Sequence, residues 1–279
     1  MKKVSTYLSI LLMFLGGILF LLGGCTQKST TKKSSSTHSS RVIHKTNKKR
    51  TTTTTWHHYQ QPIELPILMY HSISSGNSLR VPPEQFANEM AALKQAGYYT
   101  LSASQAVRAF KTNSLPQEKC VWITLDDGYE DNYSAALPTL EKYHLQATIN
   151  YITSFQSRSG YITHSQLEQM QHTGLISFTS HTVNHLDLNE LTMKEQWQEL
   201  EQSKKTLDLQ LNQNTQVVAY PAGRYNQLTL QLAEKSGYEI GLTTHQGLAN
   251  NRQGLFALDR IRITPGLSTA QFMYLIANG

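Results

Sequence analysis

Two acidic residues stand side by side at the end of an apolar run: Val121-Trp122-Ile123-Thr124-Leu125 leads straight into Asp126-Asp127-Gly128. Adjacent carboxylates on a buried strand are costly, because like charge and burial both oppose ionisation. Successive strand side chains point to opposite faces, so the pair does not do one job twice. Asp-Asp-Gly is also good turn chemistry, and a plain turn accounts for the triplet taken alone. A second group lies downstream, His181-Thr182-Val183-Asn184-His185. Histidines at i and i+4 share one side of a helical turn, a spacing that can grip one metal ion. Imidazole suits Zn, Ni, Co or Fe. An isolated His-x-x-x-His is as readily two surface residues, and a metal needs a third ligand. One of Asp126 and Asp127, arriving from a neighbouring strand end, would complete a set of two histidines and one carboxylate.

The elements that must position these groups alternate along the chain. Short apolar runs at 66–71, 121–125, 147–153, 176–179, 217–220, 238–242 and 261–263 read as strands. Between them, 82–97, 132–144, 164–174, 192–211 and 227–237 carry helical spacing, with Pro82 and Pro83 opening the first and Gly97 ending it. Strand–helix alternation predicts an α/β fold with a parallel sheet and helices outside. About seven strands suit a distorted or incomplete (β/α)7-type barrel, whose chemistry sits at the C-terminal strand ends. His71, Asp126-Asp127, Ser180-His181 and Pro221-Ala222-Gly223 all follow such ends. Cys120 opens an apolar run and reads as a small buried core residue.

Charge is divided unevenly. Residues 1–63 hold ten Lys/Arg and no acid, whereas residues 64–279 hold 15 Lys/Arg against 19 Asp/Glu. The basic pI of about 9.2 therefore belongs to the N-terminal segment and gives no ground for a nucleic-acid partner. Lys2 and Lys3 precede a long apolar stretch that ends in Leu22-Gly23-Gly24-Cys25, the pattern of an export signal. The Cys resembles the lipidation site of bacterial lipoproteins. An uncleaved transmembrane anchor is the other reading of about 19 apolar residues. Either way the chain is expected outside the cytoplasm, tethered to the membrane. Residues 26–61, rich in Ser, Thr and Lys, are expected to be a disordered spacer, with His57 and His58 a solvated pair at its end. Residues 62–279 are expected to form the folded domain.

Taken together, the motifs resemble those of the polysaccharide deacetylase family, also called carbohydrate esterase family four. Thr124-Leu125-Asp126-Asp127-Gly128 is similar to its first motif, Ser180-His181-Thr182-Val183-Asn184-His185 to its second, and Tyr220-Pro221-Ala222-Gly223 with Tyr225-Asn226 to its third. The resemblance runs from about residue 64 to the C-terminus. The opening Pro66-Ile67-Leu68-Met69-Tyr70-His71-Ser72-Ile73 is similar to the biofilm poly-N-acetylglucosamine deacetylases, in which the acid His precedes the Asp pair. The resemblance implies that Asp127, His181 and His185 bind one divalent ion, Zn2+ first, with Ni2+, Co2+ or Fe2+ as alternatives. It implies Asp126 as general base and His71 as general acid, with His245 as a rival acid. The turn Pro221-Ala222-Gly223, with Tyr225, would supply an oxyanion donor and substrate contacts. The Arg expected before the third-motif Pro is missing here, and Arg260 or Arg262 is the available replacement. An aromatic after that Pro is missing too. The implied activity is removal of N-acetyl groups from poly-β-1,6-N-acetylglucosamine, with peptidoglycan N-acetylglucosamine as alternative and O-acetyl esterase activity third. A reading of another class is an inactive glycan-binding surface lipoprotein.

Overall fold

The computed structural model describes residues 55–279. The expectations for a leader at 1–25, for lipidation of Cys25 and for a spacer up to residue 54 fall outside the described residues. In chain order the strands are β1 (His57–His58), β2 (Ile67–Tyr70), β3 (Tyr99–Thr100), β4 (Ser114–Leu115), β5 (Cys120–Asp127), β6 (Ala147–Tyr151), β7 (Ile176–Ser180), β8 (Val217–Ala219), β9 (Ile240–Gln246) and β10 (Leu258–Arg262). The α-helices are α1 (Pro83–Gln95), α2 (Ala103–Thr112), α3 (Leu137–Tyr143), α4 (His164–His172), α5 (Met193–Leu211), α6 (Gln227–Lys235) and α7 (Thr269–Asn278).

Seven parallel strands close on themselves in the order β2-β10-β9-β8-β7-β6-β5, with β5 pairing back to β2 and the short β3 laid along β5. The ring is uneven. β7 and β8 meet at one register pair, Ser180 with Val218, and β9–β10 carries a register shift. This is the expected (β/α)7 barrel, and its distortion lies at those two seams.

Alternation along β5 sorts the barrel into layers. Val121, Ile123 and Leu125 point outward and pack with Phe86, Met90, Leu140 and Phe272 of the surrounding helices. Trp122 points inward with Ile67, Val217, Ala219, Ile240 and Leu258, filling one half of the interior with hydrocarbon. Beyond Trp122 the interior turns polar. The Trp122 indole N–H donates to Thr148 Oγ1 at 2.7 Å, and Thr124, Asn150, Thr179, Thr243 and Arg260 follow, all buried. A barrel interior is a packed core, so every polar group there must find a partner.

Helix boundaries follow local chemistry. Thr192 caps α5 through the Glu195 N–H, and Glu195 returns the bond to the Thr192 N–H, a reciprocal capping box. Ser102 with Gln105 does the same for α2, and Ser268 with Gln271 for α7, two helices the sequence pattern left unassigned. The helix expected at 132–144 is α3 preceded by one wide turn at Asn132–Ala136.

The folded part begins earlier than expected. His57 and His58 pair with Leu115 and Ser114, and the Arg108 guanidinium lies 4.2 Å from the Trp56 ring. Asn113 fastens the following segment, donating to the carbonyls of Tyr59 and Gln61 and accepting from the Ile63 N–H. Residues 56–61, assigned above to a solvated spacer, are held against the domain because one loop asparagine satisfies their backbone.

Candidate metal and acid–base site

The polar ends of β2, β5, β7 and β8 meet at one mouth of the barrel. At the end of β5 the backbone turns left-handed twice, at Asp127 (φ 74°) and Gly128 (φ 78°). A side chain at 128 would collide with the Tyr151 ring, its Cβ 2.3 Å from Tyr151 Cδ2, so only glycine fits. The twist sends Asp126 inward and Asp127 toward β7.

Asp126 is 2 % exposed and fully partnered on one side. Arg260 grips it with two parallel bonds, Nη1 to Oδ1 and Nη2 to Oδ2, both 2.8 Å. Asn150 Nδ2 donates to Oδ1 at 2.7 Å, and Thr179 fixes Asn150 in turn. Arg260 is itself wholly buried and also donates to the Thr243 carbonyl and Thr124 Oγ1. Burial alone would raise the Asp126 pKa; the Arg260 guanidinium overrides it and holds the carboxyl well below the usual range. Of the two arginines available from sequence, Arg260 is the partner. Arg262, two residues on and sharing its face, lies at the half-exposed strand end.

Asp127 faces the other way. Its Oδ1 lies 3.4 Å from His181 Nε2 and 3.5 Å from His185 Nε2, and those three ligand atoms fall within 4.8 Å of one another. Oδ1 is buried with no hydrogen-bond partner among the described residues. An anionic oxygen left so is costly unless a cation satisfies it. The His181 Nδ1 lies 2.7 Å from the Ala219 carbonyl oxygen, which fixes that nitrogen as the N–H and leaves the Nε2 lone pair free to bind a cation. Three donors of this kind, one carboxylate and two imidazoles, fit a divalent transition ion. One correction applies. Residues 181–185 are not a helical turn: Thr182 and His185 take φ of 64° and 58°. The rings still approach, with centroids 4.8 Å apart.

His71 follows β2 and places Nε2 4.0 Å from Asp126 Oδ2. Burial lowers its pKa, an effect that the adjacent Asp126 and Asp127 charges oppose and only partly cancel. His245 is paired with Asp259 at 3.7 Å and its side chain is 62 % exposed. It does not join the buried cluster.

In the turn at Pro221–Gly223, Pro221 has no N–H, and the Gly223 N–H is spent on the Tyr220 carbonyl at 2.9 Å. The Ala222 N–H is left without an acceptor among the described residues, on a left-handed residue at the exposed rim. Tyr225 packs against Tyr220 and stands 6.1 Å from the His245 ring. The aromatic missing from that turn has a counterpart across the mouth. Half-buried Tyr129 and Tyr161 stack 5.2 Å apart, with Phe155 edge-on to Tyr161. Sequence reasoning missed Asn150, Tyr129 and the Ala219 carbonyl, none of which has a spacing signal. Cys120 is buried as expected, and burial pushes its thiol up to about 11, which makes it unreactive.

Residues 113–241 match the family model described as polysaccharide deacetylase. His71 and Arg260 lie outside that match. The chain is 47% identical over 213 residues to the Bacillus subtilis protein "Putative polysaccharide deacetylase YxkH", covering 76% of each. It is 26% identical to the poly-beta-1,6-N-acetyl-D-glucosamine N-deacetylase of Staphylococcus epidermidis, over 71% of this chain and 74% of that one. Among solved structures, the Streptococcus pyogenes deacetylase PplD, determined with acetate, superposes with a TM-score of 0.75 at 41% identity, covering 77% of this chain and 99% of that one.

Proposed function

The chain belongs to the polysaccharide deacetylase family, hydrolases of N-acetyl amide bonds, and from that premise we propose that it deacetylates an N-acetylglucosamine polymer at the cell surface with one divalent ion, Zn2+ first. Poly-β-1,6-N-acetylglucosamine is the preferred substrate; the staphylococcal relatives carry that polymer in their names. The observation that carries the metal reading is the orphaned Asp127 Oδ1 beside two imidazole nitrogens. Asp127, His181 and His185 would hold the ion. When bound there, it supplies Lewis acidity to polarise the acetyl carbonyl and to acidify water.

The remaining work falls to side chains. Asp126 starts ionised, because Arg260 and Asn150 hold it so. Its Oδ1 carries two donors and its Oδ2 one, so Oδ2, the oxygen facing His71, receives the proton of the attacking water. His71 gives a proton to the departing nitrogen. Burial makes it part with that proton readily, and the amine leaves neutral. Once acetate and amine have gone, one water bridging the 4.0 Å between Asp126 and His71 would carry the proton back to the imidazole. The Ala222 N–H is the turn's remaining donor for the developing oxyanion. The Tyr129–Tyr161 stack offers the sugar an apolar wall.

We also place the activity outside the cytoplasm, tethered through Cys25; the support is the basic start, apolar stretch and Leu22-Gly23-Gly24-Cys25. The full-length chain should release acetate from β-1,6-linked N-acetylglucosamine oligomers and stop when a chelator removes the ion. Release from wall muropeptides alone transfers the activity to peptidoglycan. Binding of the oligomers without acetate release makes the chain a glycan-binding module.

A further inference from the structure

The geometry assigns Glu199, on the inward face of α5, as the positioning residue that holds the His181 and His185 imidazoles in register for the ion; this rests on the metal reading above. The inward stripe of α5 carries Leu200, Leu207 and Leu211 with buried Gln196 and Ser203, and Glu199 is its one charged residue, at 5 % exposure. A carboxylate so placed must be compensated. All its hydrogen-bond partners lie in the connection between the two histidines. Oε2 accepts the Val183 N–H at 2.9 Å and the Asn184 N–H at 2.8 Å, while Oε1 accepts Asn184 Nδ2 at 2.6 Å.

The rest of that connection is accounted for just as fully. The Thr182 N–H donates to Ser180 Oγ, and the His185 N–H to Thr182 Oγ1. The carbonyls of Thr182 and Val183 accept from Thr153 and Ser154 at 3.2 and 3.0 Å. Each N–H from 182 to 185 thus has an acceptor, and one carboxylate supplies two of the four. Positive φ at Thr182 and His185 is unusual for side-chain-bearing residues, and for a β-branched threonine it is a genuine outlier. Such a path persists only when its surroundings over-determine it. Without the carboxylate two of the four N–H groups that hold this path lose their acceptor, and the connection is free to leave it. The His181 ring has its own anchor at the Ala219 carbonyl. Among the described residues the His185 ring takes no hydrogen bond from a neighbouring strand and only approaches Asp127 Oδ1 at 3.5 Å, so its place depends on the backbone that Glu199 holds.

The test is metal binding, measured apart from turnover. Zn2+ affinity of the full-length chain is read by competition with a chromophoric chelator, and the site geometry by the visible absorption of bound Co2+. Glu199→Ala should weaken Zn2+ binding by about 10–100-fold, the range for residues that orient metal ligands, and should alter the Co2+ band. Glu199→Gln should recover much of that loss, because one amide oxygen can still accept both N–H bonds at about half the strength. A residue that merely stabilised the fold would lower the melting temperature and leave affinity and band unchanged at low temperature. Glu199→Ala, folded, with wild-type affinity and spectrum overturns the inference. If the alanine variant does not fold, Glu199→Asp, one methylene too short to reach both N–H groups, takes its place: wild-type affinity and spectrum in that variant overturn the inference, and a weakened site with an altered band supports it. No uptake by the wild-type chain removes the metal reading itself, and this inference with it; uptake by the wild type with unaltered variants removes only this one.

Discussion

Two histidine–aspartate pairs face the same end of the barrel, and they differ in almost everything except distance. His245 and Asp259 approach to 3.7 Å, closer than the 4.0 Å between His71 and Asp126. Separation alone would select the former. Yet the His245 side chain is 62 % exposed against 13 % for His71, and Asp259 is 22 % exposed against 2 % for Asp126. Asp126 is locked by Arg260 and Asn150, whereas Asp259 takes one side-chain bond, from Gln253. Water screens the exposed pair and leaves its rings and carboxyls free to move. At the buried pair each charge acts through a lower dielectric on groups that cannot swing away. Organisation around a pair, more than its separation, separates an acid–base device from a surface contact.

The comparison can be broken in four ways. The largest effect is expected from Asp126→Asn. Its amide is a poor base, so acetate release should fall by about 10³-fold or more while the Zn2+ content stays near one, assayed by turnover and metal analysis together. The same change leaves the buried Arg260 with half its partner, so the melting temperature should drop as well, and turnover belongs well below it. Wild-type turnover in this variant would remove Asp126 from the base role. Next comes His71→Ala, with an expected loss of about 10²–10⁴-fold in kcat, the range for one positioned acid.

A third prediction concerns stability and sharpens the contrast in burial. Directly after β2 comes His71, and its neighbour Tyr70 donates to a buried carboxylate, Glu89 Oε2, at 2.7 Å. Burial raises the Glu89 pKa from 4.5 to about 7, against the opposing bonds from Gln85 and Tyr70. The folded state therefore holds a proton that the unfolded chain has already lost between those values. Its contribution is complete below about pH 4.5 and is lost as pH rises through 7. The change is on the order of 3 kcal/mol. Glu89→Gln should remove that part of the slope, and denaturant titrations at pH 5 and pH 8 would show it. A wild-type slope no steeper than the variant's would contradict the assignment. The smallest effect is expected at the exposed pair: His245→Ala should change kcat less than about threefold, as for surface positions outside a site. A larger loss there than at His71 would reverse the comparison and make His245 the acid.

Much of this architecture was legible because it is local. Apolar runs ending in polar residues marked the barrel strands, and helical spacing over 192–211 marked α5. Helices α2 and α7 were missed. They are ten residues each, close to the length at which a helical period is hard to separate from chance. The His-x-x-x-His spacing pointed to a helical turn, and the chain instead runs through two left-handed residues. Spacing reports which side chains are able to meet, but the path between them is set by outside partners, here Glu199 and the Thr153-Ser154 backbone.

By itself the sequence determined the strand–helix alternation, the placing of the acidic pair at a strand end, and a candidate set of His181, His185 and one of the two aspartates, since these follow from hydrophobic period and side-chain chemistry; Asp127 as the carboxylate of that set was implied by the family resemblance. Tertiary structure alone decided that Arg260, and not Arg262, grips Asp126. The two share a strand face, so alternation cannot tell them apart; only depth in the barrel does. It also set the two histidines apart, burying His71 beside Asp126 and leaving His245 exposed. A pKa and a fixed orientation depend on how much water and how many donors surround a group, and for Asp126 those donors come from residues 24 and 134 positions away.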